Sequence, residues 1–142
     1  METPPVFPKS FGCYKPSNHK VYGTVCISPD NTVLVVKGRR SGKWSFPKGH
    51  KLRAETYINC ALRETLEETG VSLYNREHRH YQKMSAGEYY IFEVESELDT
   101  CVLDSAEIED VGWLSPTELE ALSCNVDVNY WLSRRNRPVR AY

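Results

Sequence analysis

The stretch 49-GHKLRAETYINCALRETLEETGV-71 decides how this chain is read. Glu64, Glu67 and Glu68 stand three and four residues apart, so a helix brings them side by side, where like charges repel. That arrangement is unfavourable unless a cation sits among the carboxylates. The same helix carries Ile58, Ala61, Leu62, Thr65 and Thr69 at helical spacing, a stripe fit to pack on a sheet, with the acidic row on the adjacent side. The pattern predicts a helix from near Glu55 to Gly70, where glycine accepts the left-handed cap conformation.

The surrounding chain narrows what that cation is for. Its 142 residues suit one domain, and 18 basic against 19 acidic residues leave a net charge of -1. Bulk charge therefore steers it to neither nucleic acid nor anionic membrane, and any basic surface must be local. Cys13, Cys26, Cys60, Cys101 and Cys124 are odd in number and lack a CxxC pair, so they suggest neither a disulfide framework nor a zinc site. No apolar run approaches a membrane span, and METPPVFPKS lacks the layout of a signal peptide. The expected location is cytoplasmic, with the nucleus equally compatible, and not secreted.

Upstream of the helix, VYGTVCI (21–27) and TVLVVK (32–37) read as strands joined by SPDN in a hairpin. GRRSGKW (38–44) is a basic, glycine-bearing loop, and WSFPKGH is an extended piece interrupted by Pro47, which has no N–H to offer a ladder. Downstream, EYYIFEVE (88–95) and EIEDVGWL (107–114) read as strands. SPTELEAL (115–122) has Ser115 as cap, Pro116 first and Glu118 third, the order of a capping box. A last amphipathic segment spans 126–135. Strands and helices mix without strict alternation, which favours a mixed sheet flanked by helices.

Gly49, Glu55 and Arg63-Glu64-Thr65-Leu66-Glu67-Glu68-Thr69-Gly70-Val71 match the Nudix box, G-x5-E-x7-R-E-U-x-E-E-x-G-U, where U is aliphatic. The seven fixed positions match, which by average residue usage occurs at a random site on the order of once in 10^8. Thr65 departs from the pattern at an aliphatic position. The chain thus resembles the Nudix hydrolases. The resemblance implies an α+β fold, an α/β/α sandwich with a mixed β-sheet, its loop and helix at about 49–71. The domain is expected over 20–133, between an irregular lead-in at 1–19 and a basic tail at 134–142.

The carboxylates agree with the resemblance, because clustered hard oxygen ligands suit Mg2+ or Mn2+. Carried over by position, the family implies metal binding by Glu64, Glu67, Glu68 and the Gly49 carbonyl, with Glu64 and Glu67 catalytic. Arg63 and Glu55 are expected to pair and support the site. Trp44, Phe46, Pro47, Lys48 and Gly49 are similar to the W-x-F-P-K-G stretch of two Nudix subfamilies, mRNA-decapping domains and diadenosine tetraphosphate hydrolases; His50 resembles the latter and VKG the former. Lys48, with Arg39, Arg40 and Lys43 of the basic loop, is expected to bind substrate phosphates. Glu107-Ile108 with Val111-Gly112-Trp113 and Glu118-Leu119 looks like the downstream element of decapping domains, making Glu107 a candidate general base against the plainer reading of a surface glutamate. Glu109 and Asp110 are weaker rivals.

His78 and His80 read as solvated loop residues. Tyr22, Tyr89, Tyr90 and Trp113 can stack on bases but on strands more often fill a core. Arg134, Arg135, Arg137 and Arg140 are candidate RNA contacts, with a solvated tail as the alternative. The expected activity is Mg2+-dependent cleavage of a phosphoanhydride in a nucleoside diphosphate linked to another group, capped RNA or a dinucleoside polyphosphate. Diphosphoinositol polyphosphates and nucleoside triphosphates are alternative substrates, and a catalytically silent nucleotide- or RNA-binding module is the alternative of another class.

Overall fold

Residues 20–135 are described by the structure, a computed structural model. Strands β1 (Val21–Ile27) and β2 (Val33–Gly38) form where the β-branched runs lie. Asn31 takes a φ of 63° in the turn between them, and the Ser28 hydroxyl accepts from the Thr32 N–H at 3.1 Å. The expected hairpin is closed only beside that turn, where Ile27 pairs with Val33. Beyond it the strands separate, because residues 44–49 enter between them. β3 (Trp44–Ser45) pairs with β2, and β4 (Lys48–Gly49) pairs with β1. Pro47 lies between these two short ladders, where no N–H is demanded, and its carbonyl accepts from Thr24.

The outer edges complete a mixed seven-stranded sheet. β6 (Gly87–Glu93) runs parallel to β1 along all of its length, and β7 (Ile108–Leu114) runs antiparallel to β2. β5 (His80–Lys83) adds to β6 at the edge. The sequence reading missed β5 and left it in a connecting stretch. Three of its four residues are exposed, so it has no buried alternation to betray it; the open edge of β6 creates it.

Alternation sends Val25, Val33, Val35, Tyr89 and Ile91 to one face, under helices α2 (Pro116–Glu120) and α3 (Val126–Arg135). Cys26, Leu34 and Phe92 go to the other, under Leu62 of α1 (Tyr57–Thr69). Helices on both faces of a mixed sheet make the expected α/β/α sandwich.

Helix boundaries differ from expectation for local reasons. α1 starts at Tyr57 because Thr56 is the cap, its hydroxyl accepting from Asn59, so Glu55 lies outside the helix. It ends at Gly70, whose φ of 76° is the left-handed cap. Ser115 and Glu118 form the capping box of α2, but that helix stops at Glu120, before residue 122. Ser123 and Asn125 are drawn instead to the backbone of Trp44. α3 spans the segment expected at 126–135, with Arg134 over the Tyr130 ring and Arg135 over Trp131. Arg137 and Arg140 lie outside the described residues, as does Cys13. Among the described residues no helix is long and apolar enough to cross a membrane.

Candidate active site

The departure at Thr65 is resolved by the sheet beneath it. Thr65 is fully buried, and its hydroxyl meets that of Thr24 on β1 at 2.7 Å as well as the Ala61 carbonyl at 2.8 Å. Where an aliphatic side chain packs in the pattern, a satisfied hydroxyl pair pins α1 to β1.

On the next side of α1, Arg63 is 4% exposed and is the hub of the charges. Its Nη1 donates to Glu64 Oε1 at 3.0 Å and to Glu67 Oε2 at 3.2 Å, while Nε and Nη2 hold Glu55 and Nη2 also reaches the His50 carbonyl. Burial opposes the charge of Arg63, but the hydrogen bonds and charges of Glu55, Glu64 and Glu67 outweigh it and raise its pKa. Glu55 in turn accepts from the Leu52 N–H at 2.9 Å. The expected pairing of Arg63 with Glu55 thus closes the loop onto the helix.

Glu64 and Glu68 are almost wholly buried, at 1% and 3% exposure. Burial, followed by the negative charge of Glu64, pushes the Glu68 pKa up to about 8, against the Lys48 charge and the Lys48 N–H that donates to it. Glu55, Glu64 and Glu67 about Arg63, with Glu68 beside Glu64, form the floor of the site. Gly49 lies directly on it: a Cβ there would stand 1.6 Å from Glu64 Oε2 and push that carboxylate aside, so glycine lets the loop approach the carboxylates. The Gly49 carbonyl accepts weakly from the Cys60 thiol at 3.5 Å.

Among the described residues no three His, Cys, Asp or Glu side chains close into a metal cage as they stand. Arg63 draws Glu67 and one oxygen of Glu64 to itself. The donor chemistry nevertheless fits a hard divalent cation: buried carboxylates repel one another beside a glycine loop, and such a cation relieves them.

The second wall arrives from far along the chain. The carbonyl of Glu67 accepts from Leu103 and Asp104, and that of Thr69 from Cys101, so residues 101–104 satisfy the open end of α1. The Glu107 carbonyl accepts from the Arg39 N–H at 2.8 Å, and the Arg39 side chain donates to Ser105 and Ile108 carbonyls at 3.0 and 3.5 Å. Glu107 is thereby held at the rim of a cleft of about 690 Å³ that Arg39, Arg40, Lys43, Lys48, Gly49, His50 and Glu68 also line. Glu109 is turned away to Lys37 at 3.2 Å, and Asp110 accepts from the Val111 N–H beside it at 2.8 Å.

The family model of the NUDIX domain matches residues 17–133. The chain belongs to the Nudix family. Its α1 is the Nudix helix. The protein named mRNA-decapping enzyme subunit 2 from Arabidopsis thaliana is 45% identical over 65 residues, 44% of this chain and 17% of that protein. The protein named m7GpppN-mRNA hydrolase dcap-2 from Caenorhabditis elegans is 39% identical over 67 residues, 44% of this chain and 8% of that protein. The chain thus spans less than a fifth of these curated relatives. A C. elegans Ap4A hydrolase binary complex superposes with a TM-score of 0.64 at 19% identity, covering 82% of this chain and 95% of that one, which shows the shared fold.

The Nudix cleft gathers the four basic residues expected at the substrate, Glu68, Gly49 and Glu107. Glu64 lies beneath Gly49, and Glu67 faces Arg63. Sequence reasoning passed over Ser41, Ser45 and Asn125 of the lining. Asn125 carries one local signal, as the cap whose Oδ1 accepts from Val128. Of the aromatic candidates, Tyr89 is in the core and donates to buried Asp127 at 2.7 Å, and Trp113 donates to the Leu98 carbonyl at 2.9 Å.

Proposed function

We propose that this Nudix domain hydrolyses the 5'–5' polyphosphate bridge of capped RNA with the help of Mg2+ or Mn2+. The observation that carries the reading is the cleft itself, in which Glu68 and Glu107 share the lining with Arg40, Lys43 and Lys48 around a space suited to a polyphosphate. The names of the relatives that match over 65 and 67 residues support capped RNA as its source.

Glu64, Glu67, Glu68 and the Gly49 carbonyl would hold the cation. When bound, it supplies positive charge to the pyrophosphate and to the oxygen that leaves. Lys48, Arg40 and Lys43 bind and orient the phosphates and share in neutralising them. Glu107 takes the proton from the attacking water as the new P–O bond forms and the bridging P–O bond breaks. Arg39 acts through Glu107, because its side chain is spent on the loop that carries that residue. Arg63 and Glu55 set the height of the loop over the floor.

His50 at the cleft supports a second reading, a dinucleoside polyphosphate substrate. The deciding experiment compares kcat/KM for a capped RNA and for diadenosine tetraphosphate with Mg2+, with products identified. Preferential release of methylated guanosine diphosphate is the expected outcome. Preferential cleavage of the dinucleotide replaces the first reading by the second, and comparable turnover of simple nucleoside triphosphates defeats both.

A further inference from the structure

α1 packs over β1, and beside it, among the described residues, the same face of the sheet carries aromatic side chains along β6 and β5. Tyr57, at the start of α1 and 54% exposed, stacks on Tyr22 of β1 with centroids 4.8 Å apart and planes at 23°. Tyr90 of β6 packs against the cluster that holds Tyr22. Tyr81 of β5 pairs with Tyr90 in the sheet register, its ring 5.1 Å away and 40% exposed. His78 meets Tyr90 edge-on at 4.9 Å. The rings form one strip whose two ends, Tyr57 and Tyr81, are the exposed ones.

Two further observations say what covers it. Cations flank the exposed rings: Lys51 Nζ lies 6.0 Å from the Tyr57 centroid, and Lys83 stands two residues from Tyr81, on the same face of β5. The strip also starts at the cleft wall, since Tyr22 pairs with Gly49 across β1 and β4, and Lys51 follows His50 of the cleft lining. Aromatic faces accept any base, and cations between them meet the phosphates of a single strand.

We propose that this strip is the track for the single-stranded RNA adjoining the cap, with bases stacking on Tyr57 and Tyr81 and phosphates meeting Lys51 and Lys83. The proposal rests on the capped-RNA reading, and its test is separable from it. Fluorescence anisotropy in EDTA measures binding of a labelled, uncapped 15-nucleotide RNA to the full chain without any hydrolysis. Tyr57→Ala with Tyr81→Ala is expected to weaken binding about tenfold or more, and Tyr57→Phe with Tyr81→Phe, which keeps both rings, to bind as the unaltered chain does. In turnover, the alanine pair is expected to lower the ratio of kcat/KM for a capped 15-mer to that for a cap dinucleotide by about tenfold. Unaltered binding and an unaltered ratio in the alanine pair overturn the track while leaving cap hydrolysis standing. Failure of the unaltered chain to bind the oligonucleotide also overturns it. Failure to cleave any capped substrate counts against the functional reading, and the anisotropy then still decides the track.

Discussion

Around Arg63 the cleft floor is a buried lattice, one guanidinium held by Glu55, Glu64 and Glu67. The rim at Arg40, Lys43 and Glu107 is exposed and carried on two loops that meet through the backbone and side chain of Arg39, which donate to the carbonyls of Glu107, Ser105 and Ile108. Both are charged, and Glu68 carries the floor into the cleft that the rim lines. They differ in what a lost side chain leaves behind: in the floor a buried carboxylate without its partner, at the rim a group that water replaces. The floor is therefore bound up with stability, and the rim, in the proposed function, with substrate.

The largest expected effect tests the floor as chemistry. Glu67→Gln is expected to lower Mg2+-dependent kcat/KM on capped RNA by about 10^2-fold or more, with circular dichroism of the folded chain retained. Unchanged turnover in that variant would sink the metal assignment. The next change tests the floor as structure. Arg63→Ala strands buried carboxylates and is expected to lose about 3–5 kcal/mol in urea unfolding. Lys48→Ala, at the half-buried boundary of the two regions, is expected to stay within about 1 kcal/mol of the parent while KM rises. A rim variant as unstable as Arg63→Ala would dissolve the distinction.

A smaller effect concerns the hydroxyl pair that pins the helix. Thr65→Val leaves the buried Thr24 hydroxyl without this partner and is expected to cost about 1 kcal/mol. The double change Thr24→Val with Thr65→Val removes both polar groups and is expected to recover part of that loss, read from the same urea curves.

A further effect is in the pH dependence. Without a divalent cation, Glu68 holds its proton in the folded chain up to about pH 8, well above the value of an unfolded carboxylate. Between those two values the folded state binds more protons, so its stability falls as pH rises. Thermal melts in EDTA from pH 5 to 8 are expected to show Tm decreasing on this account, and Glu68→Gln to flatten the slope. A slope unchanged in Glu68→Gln would assign it to other groups.

The two regions also differ in how far they could be read in advance. The floor lies within one continuous stretch, where helical periodicity alone brings Glu64, Glu67 and Glu68 together and the pattern supplies Gly49, Glu55 and Arg63. The rim joins residue 39 to residue 107, and no local rule connects them. Glu107 was one of three nearby carboxylates until the chain path turned Glu109 to Lys37 and left Glu107 on the cleft. Arg39 shows the limit more sharply: a basic loop residue suggested phosphate, and the structure gives its side chain to the carbonyls of Ser105 and Ile108.

By itself, the sequence determined the Nudix helix, its cap at Gly70, the capping box of α2, the strands β1, β2, β6 and β7 and the acidic cluster, because each depends on residues a few positions apart. Tertiary structure decided the rest. It split the β1–β2 hairpin around Pro47, built β5 on an edge, met Thr65 with Thr24 and aligned the aromatic strip. Each of these depends on which distant surfaces come together, and periodicity records which side of an element is buried, not what buries it.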